Sequence, residues 1–185
     1  MSTTHHIIFV DDERNALDSY ARMLRREADT WRTTMFACPL EAWNFISSES
    51  IDVFITDARM PRMSGLDLLG HIRESSATQH IPVLVVTGVA DGNLRRRALE
   101  LGATDFLQKP IDADELLLRI RNALRQKRYE DDLRQQFQQL ASRMEHAQET
   151  LLGNDTSQLG DSAREIIRNA LMGSPSPAAR GVILA

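Results

Sequence analysis

Between residues 7 and 110, short apolar runs alternate with segments in which apolar residues recur at helical spacing. The runs are rich in branched and aromatic residues, a pattern typical of strands that are buried on both faces. We predict five strands, at residues 7–10, 33–37, 51–56, 81–86 and 105–108. The predicted helices lie at residues 16–24, 40–46, 66–72, 94–101 and 116–124. Five strand–helix units indicate an α/β fold, with an open, doubly wound parallel sheet and helices on both faces.

The pattern changes near the C-terminus, where residues 126–132 are almost entirely polar. Apolar residues then recur at intervals of four, three, four, three and four, at Leu133, Phe137, Leu140, Met144, Ala147 and Leu151. Such intervals are typical of the a and d positions of a coiled coil, here on a helix that is rich in Arg, Gln and Glu. We therefore place a domain boundary within the polar stretch and expect a long C-terminal helix after it.

The last part of the chain is predominantly polar and predicts little ordered structure. Residues 153–172 are expected to form a linker and a short amphipathic helix, whose apolar positions are Ala163, Ile166, Ile167 and Leu171. Residues 173–185 include Ser-Pro-Ser-Pro, and we expect a disordered tail there, because such segments bury too little apolar surface to fold.

Composition excludes several classes of protein. The 185 residues are 42% apolar and 26% charged, as in an ordinary globular protein, and the net charge of −4 gives no reason to expect direct binding of nucleic acid. No apolar run approaches the roughly 20 residues of a membrane span, and the N-terminus lacks a signal-peptide pattern. Cys38 is the single cysteine, so no intramolecular disulfide can form. We expect a cytoplasmic protein that does not bind membranes.

Polar residues follow four of the five predicted strands. Asp11 and Asp12 come after the first strand, Asp57 after the third, Thr87 after the fourth and Lys109 after the fifth. In open α/β sheets, ligands bind beyond the carboxyl ends of the strands, where the strand order reverses. The three acids, the hydroxyl group and the lysine are therefore expected to converge at one site.

This set of residue types indicates phosphoryl chemistry. Two carboxylates 4 Å apart repel by roughly 4 kcal/mol at an effective dielectric constant of about 20, so three converging acids need a cation. Hard oxygen ligands favour Mg²⁺, and Lys109 supplies a second positive charge. A carboxylate can attack phosphorus and form an acyl phosphate, while the cations neutralise the transferred group. Taken singly, each acid is more typical of a helix cap or turn, and the alternative for Lys109 is a solvated side chain.

Four motifs extend this picture to a family. They are Ile8-Phe9-Val10-Asp11-Asp12, Ile55-Thr56-Asp57-Ala58-Arg59-Met60-Pro61-Arg62-Met63-Ser64-Gly65, Val85-Val86-Thr87-Gly88 and Gly102-Ala103-Thr104-Asp105-Phe106-Leu107-Gln108-Lys109-Pro110. With them the chain resembles the receiver domain of two-component response regulators, over residues 5–127. The resemblance implies a flavodoxin-like sheet with strand order 2-1-3-4-5. Residues 128–152 are then the coiled-coil-like extension.

The resemblance implies a role for each acid. Asp57 is the implied phosphoacceptor, and the donor is a histidine kinase or a phosphotransfer protein. Mg²⁺ is the implied cofactor, with Asp12, Asp57 and the backbone carbonyl group of Arg59 as ligands, and with Asp11 acting through a metal-bound water. Such a protein is a phosphoprotein switch rather than an enzyme, apart from self-phosphorylation from small donors and self-dephosphorylation.

The resemblance also implies how the state of the site is transmitted. Thr87 and Lys109 are expected to bind the phosphoryl group, and Thr87 and Phe106 to form a switch pair. The peptide bond between Lys109 and Pro110 is expected to be cis. The switch aromatic of the family is often Tyr, so the two states of Phe106 would differ in packing alone.

The output of the switch stays open at this point. We favour a homodimer whose parallel stalk is the helix of residues 133–151, and the alternatives are a helix folded back on its own domain and an antiparallel or partner-bound helix. No helix-turn-helix and no signature of a cyclic-dinucleotide enzyme follows the receiver. The chain is therefore either an adaptor that acts on a downstream protein or the regulatory N-terminal part of a longer response regulator with an enzymatic output, such as cyclic-dinucleotide turnover.

Overall fold

The computed structural model describes residues 4–88 and 92–153, and the surroundings of side chains as far as residue 146. The strands are β1 at His5–Val10, β2 at Trp31–Phe36, β3 at Val53–Asp57, β4 at Val83–Thr87 and β5 at Asp105–Gln108. The helices are α1 at Arg14–Met23, α2 at Pro39–Ile46, α3 at Gly65–Glu74, α4 at Gly92–Glu100 and α5 at Ala113–Gly153, with a 3₁₀ turn at Leu24–Glu27 after α1.

The five strands form one parallel sheet in the order β2-β1-β3-β4-β5, which confirms the predicted fold. The order reverses at β1, so a crevice opens between the carboxyl ends of β1 and β3. The register brings these ends level, because Val10 pairs with Thr56, and Asp57 with Val86. Side chains that end β1, β3, β4 and β5 are thereby placed at one edge of the sheet.

Both faces of the sheet are covered at its centre, which explains why β1, β3 and β4 consist largely of apolar residues. Ile8 and Val10 of β1 pack into a cluster with side chains of α2 and α3, such as Leu68. Ile7 and Phe9, which point to the other face, pack into a second cluster with side chains of α1 and α5. Because successive strand residues face opposite sides, a strand buried on both sides needs an apolar residue at every position.

Two strands begin later than the sequence predicts. Ile51 and Ile81 are 2% and 3% exposed, yet they precede β3 and β4 and take no part in the strand pairing. Burial of an apolar side chain and pairing of its backbone are separate properties. An apolar run in the sequence therefore indicates buried side chains more closely than it indicates paired backbone. Both strands also extend one residue further, and Asp57 and Thr87 are their last residues.

Helix α5 continues through the polar stretch without a break, from Ala113 to Gly153. Gln, Arg, Lys and Glu are good helix formers, and the stretch is braced by pairs four residues apart. Gln126 donates to Glu130 at 2.8 Å, and Lys127 lies 2.8 Å from Asp131. The chain divides into two units, Met1–Asp131 and Asp132–Ala185.

The predicted amphipathic helix and tail, within residues 154–185, lie outside the described residues. In the part of the chain that is described, no helix combines the length and the apolar character that a membrane span requires.

Candidate functional site

Asp11 occupies the turn that leaves β1 and is held in place from two sides. Its N–H donates to the carbonyl oxygen of Phe36 at 3.1 Å, and its Oδ1 accepts the N–H of Glu13 at 3.0 Å. A carboxylate that accepts the N–H two residues further on forms a turn of its own, which Asp adopts readily. Only 1% of the residue is exposed, so the remaining oxygen, Oδ2, faces the protein interior.

Asp57, the last residue of β3, is positioned by the start of the following loop. The N–H of Ala58 donates to the carbonyl oxygen of Val86 at 2.6 Å, which continues the pairing with β4. The N–H of Arg59 donates to Asp57 Oδ2 at 2.6 Å. This contact is short and charge-assisted, so it fixes the carboxylate and leaves Oδ1 directed elsewhere.

Gly65 allows helix α3 to begin directly against the backbone of Asp57. The N–H of Gly65 donates to the carbonyl oxygen of Ala58 at 3.2 Å, and a Cβ atom at position 65 would overlap the carbonyl oxygen of Asp57. Only glycine permits this approach. The sequence shows Gly65 within a motif, but neither spacing nor residue type reveals that the close contact is with Asp57.

A capping box fixes the start of the same helix. Ser64 Oγ accepts the N–H of Asp67 at 3.2 Å, and the Asp67 carboxylate accepts the N–H of Ser64 at 3.0 Å. Hydrogen bonds from the Ser64 side chain and backbone lower the pKa of Asp67. Between this cap and Asp57 the loop turns sharply, and Arg62 has a φ of 70°, a conformation that costs a side-chain-bearing residue energy. Both ends of the loop are therefore anchored.

Lys109 joins the two buried carboxylates. Its ammonium group donates to Asp11 Oδ2 at 2.7 Å and lies 2.7 Å from Asp57 Oδ1. The N–H of Lys109 donates to the carbonyl oxygen of Thr87 at 2.7 Å, and the peptide bond to Pro110 is cis. The strand ends thus bring the lysine that follows β5 into contact with the acid that follows β1 and the acid that ends β3.

In the trio formed by Asp11, Asp57 and Lys109, one negative charge is left uncompensated. Burial alone would lower the pKa of Lys109, but the hydrogen bonds to Asp11 and Asp57 outweigh it and raise that pKa. Two carboxylates share one ammonium group, so the trio carries a formal charge of −1. The Asp11 and Asp57 side chains are 2% and 9% exposed, which makes a further cation favourable there.

The third predicted acid lies in a different environment. Asp12 is exposed and borders a cleft of about 60 Å³, whose other lining residues are Ala37, Cys38, Pro39, Leu40, Pro61 and Arg62. Among the described residues, no three His, Cys, Asp or Glu side chains are grouped so that they could hold a metal ion as they stand. Of the predicted cluster, the structure brings Asp11, Asp57 and Lys109 into direct contact.

The two residues of the predicted switch pair lie on neighbouring strands. Thr87 ends β4 and is 1% exposed. Phe106 of β5 pairs with Val85 and is half-buried against the cluster that contains Ala98 of α4. Phe106 therefore contacts the α4 side of the sheet.

One member of the site was missed by the sequence reasoning. Tyr20 of α1 fits the apolar pattern of its helix, and its hydroxyl lies 3.4 Å from Asp11 Oδ2. Burial is the largest cause that raises the pKa of Tyr20; Lys109 opposes it, while Asp11 and Asp57 also raise that pKa. No sequence signal separates this tyrosine from a core residue whose hydroxyl contacts nothing.

The apolar residues at the a and d positions of the predicted coiled coil, which form its seam, are exposed wherever their side chains are described. Leu133, Phe137, Leu140 and Met144 are 54%, 61%, 54% and 58% exposed. Ala147 and Leu151 lie on the same helix, at positions whose side chains are not described. Large apolar side chains spaced along one helix are thus available to a partner.

Comparison with known proteins gives consistent matches. A family model for the response regulator receiver domain matches residues 7–121. The chain is similar to the phosphoglycerate transport system transcriptional regulatory protein PgtA of Salmonella typhimurium, with 35% identity that covers 72% of this chain and 31% of that protein. It is also similar to the cyclic di-GMP phosphodiesterase response regulator RpfG of Xanthomonas campestris, with 31% identity that covers 75% of this chain and 37% of that protein.

The fold comparison agrees with these matches. The crystal structure of a response regulator receiver domain protein from Clostridium thermocellum superposes with a TM-score of 0.62 and 32% identity, over 68% of this chain and 98% of that one. The chain spans about a third of the length of the two curated relatives. The similarity therefore concerns the N-terminal domain and leaves the output of the protein open.

Proposed function

Since the chain belongs to the family of response regulator receiver domains, we propose that it is a phosphoacceptor switch in which Asp57 receives the phosphoryl group. Receiver domains are phosphorylated by histidine kinases or phosphotransfer proteins, and they use Mg²⁺ in the reaction. The observation that supports the proposal best is the contact of one lysine with two buried carboxylates at the switch point of the sheet. The domain itself acts as a switch and not as an enzyme with a separate substrate.

The proposed transfer step is supported by the contacts of Asp57. A carboxylate oxygen of Asp57 attacks the phosphorus atom, the new O–P bond forms as the donor's bond to phosphorus breaks, and the electron pair leaves with the donor. Arg59 N–H holds Oδ2 and the Lys109 ammonium group holds Oδ1, so the nucleophile is oriented before the donor arrives. After transfer Lys109 neutralises charge on the phosphoryl oxygens, which draws it away from Asp11.

The donor set fits Mg²⁺ in kind, because carboxylate and carbonyl oxygens are the ligands that this ion prefers. We propose that Asp12, Asp57 and the backbone carbonyl group of Arg59 hold it, and that Asp11 binds one of its waters. The net negative charge of the buried trio favours its entry. Held by these residues, Mg²⁺ would supply positive charge next to the phosphoryl oxygens.

The signal is proposed to leave the site through Thr87 and Phe106. The Thr87 hydroxyl group hydrogen-bonds the phosphoryl group, and Phe106 repacks against α4 in response. The hydrogen bond from the N–H of Lys109 to the carbonyl oxygen of Thr87 links the ends of β5 and β4, so the two proposed phosphoryl-binding residues are held next to each other. Phe106 has no hydroxyl group, and its two states differ only in the apolar surface that they bury.

For the output we propose homodimerisation through the exposed seam of α5. Four large apolar side chains, each more than half exposed, lie at a and d spacing, and a second copy of the helix would cover them. One alternative comes from the comparisons. Because the chain spans only about a third of PgtA and RpfG, it is equally suited to regulate an attached output domain, such as one that turns over a cyclic dinucleotide.

Exposure of the full chain to acetyl phosphate and Mg²⁺, followed by intact mass spectrometry, tests the acceptor. The wild type is expected to gain one phosphate, and Asp57→Asn none, while far-UV circular dichroism shows that both are folded. Asp52→Asn is a matched control, because Asp52 precedes the same strand and contacts His6 at 2.8 Å, away from the trio. A stable phosphate on Asp57→Asn would disprove the assignment.

A further inference from the structure

Tyr20 brings a hydroxyl group to the acid pocket from within an apolar cluster. The residue is 5% exposed, and its ring stacks on Phe9 with centroids 5.3 Å apart and planes inclined by 26°. The surrounding cluster is apolar and includes Leu17, Leu116 and Ile120. A phenylalanine would satisfy this packing equally well. The hydroxyl group therefore needs an explanation of its own, and its described contact is with Asp11.

The oxygen that Tyr20 reaches is already occupied in this state. Asp11 Oδ2 accepts the Lys109 ammonium group at 2.7 Å, and the Tyr20 hydroxyl group lies 3.4 Å from the same atom. Bonds between a hydroxyl group and an oxygen atom normally measure about 2.7–2.8 Å, so the tyrosine contact is weak while lysine is in place. Contacts of this kind in resting sites are often long and tighten only when the reacting group is bound.

Phosphorylation changes the balance at this oxygen. In the proposed function Lys109 turns toward the phosphoryl group, and Asp11, 1% exposed, then loses its charged partner. The N–H of Glu13 still serves Oδ1, but apart from the proposed Mg²⁺-bound water Oδ2 would have no close donor from the protein among the contacts described for it. A buried carboxylate that loses a charged partner is costly unless another donor replaces it, so a hydroxyl group 3.4 Å away has a specific use.

We propose that Tyr20 is a positioning residue of the phosphorylated state. When Lys109 moves to the phosphoryl group, the Tyr20 hydroxyl group closes on Asp11 Oδ2 and keeps that carboxylate facing the pocket. This inference rests on the proposed function and adds a residue to the same site. It implies that the hydroxyl group contributes little to the resting protein and more to the protein that holds a phosphoryl group.

The test compares Tyr20→Phe with Tyr129→Phe in the full chain. Both variants remove one hydroxyl group, but Tyr129 lies on α5, is 61% exposed and has no described contact with the trio. Calorimetric titration with beryllofluoride, a phosphoryl mimic, at fixed Mg²⁺ measures the loaded state, and urea unfolding without ligand measures the resting state. Removing a hydrogen bond to a charged group is expected to weaken binding about tenfold for Tyr20→Phe. Tyr129→Phe should bind as the wild type does.

The two measurements separate positioning from packing. The proposal expects an unchanged urea midpoint for Tyr20→Phe together with weaker binding of the mimic. A lowered midpoint with unchanged binding would overturn it, and so would two wild-type results or a loss of binding that only parallels a loss of stability. If the wild type itself neither binds beryllofluoride nor gains phosphate from acetyl phosphate, the proposed function fails and not the role of Tyr20 within it.

A spectroscopic measurement on the unmutated chain gives a second readout. The chain has two tyrosines, so incorporation of 3-fluorotyrosine should give two ¹⁹F resonances, assigned with Tyr129→Phe. Beryllofluoride with Mg²⁺ is expected to shift the Tyr20 resonance beyond any shift caused by Mg²⁺ alone and to leave Tyr129 in place. A Tyr20 resonance that does not respond to the mimic would also overturn the proposal.

Discussion

Replacing Gly65 with alanine is expected to displace the backbone of the proposed phosphoacceptor. A Cβ atom at position 65 would overlap the carbonyl oxygen of Asp57 and lie 2.9 Å from its carbonyl carbon and 2.8 Å from Thr56 Oγ1. Real Cβ atoms essentially never approach a neighbour within 3.0 Å, so helix α3 or strand β3 must move. The obstacle is the backbone of a central strand, which cannot rotate aside as a side chain does.

The size of the effect follows from this geometry. Overpacking a well-packed site costs about 1–3 kcal/mol, and an obstacle made of backbone places Gly65→Ala near the upper end of that range. Displacing a reacting group by about 1 Å can slow a reaction by about 100-fold. We therefore expect the free energy of unfolding to fall by about 3 kcal/mol and phosphorylation from acetyl phosphate to slow by at least about tenfold.

Gly70→Ala provides a matched control on the same helix. A Cβ atom at Gly70 would meet nothing within 4 Å, and alanine favours a helix interior over glycine by about 1 kcal/mol. This variant is expected to be as stable as the wild type or slightly more stable, with an unchanged rate. Urea denaturation gives the stabilities, and intact mass spectrometry against time gives the rates. Wild-type stability and rate in Gly65→Ala would refute the reasoning.

Three further predictions concern Mg²⁺ binding by Asp12, the hydrogen bonds of Arg73 on α3 and the apolar seam of α5. Asp12→Ala should weaken Mg²⁺ binding measured by titration without phosphate, and an unchanged affinity would remove Asp12 from the ligand set. Arg73 donates to the carbonyl oxygens of Gln79, Ile81 and Gly102 at 2.8–3.0 Å. Arg73→Lys should therefore lower the free energy of unfolding by about 2 kcal/mol. The side chain of Arg96 is 72% exposed, so Arg96→Lys should change the free energy of unfolding little. In light scattering at tens of micromolar, Leu140→Asp should convert a dimer into a monomer and Gln138→Asp, beside the seam, should not; a monomeric wild type would contradict the dimer proposal.

The architecture could be predicted from the sequence because parallel strands buried on both faces must be apolar at every position. Because of that requirement, the strands near residues 7–10 and 81–86 appear in the sequence as apolar runs. A charged or hydroxyl-bearing residue that follows such a run then indicates the end of a strand. Asp11, Asp57 and Lys109 were placed together for that reason, and the structure joins them at 2.7 Å. Strand order followed from the family resemblance and not from the runs themselves.

Only the tertiary structure determines which groups the ends of the side chains contact. Helical spacing marks Tyr20 as buried, but the contact of its hydroxyl group with Asp11 depends on how α1 lies against β1. The need for glycine at 65 arises from a contact with Asp57, and the binding of Arg73 to Gly102 joins residues 29 positions apart. Periodicity along a chain reports which face of an element is covered. Contacts between elements depend on distances and angles that no single element contains, so they are decided only when the elements pack.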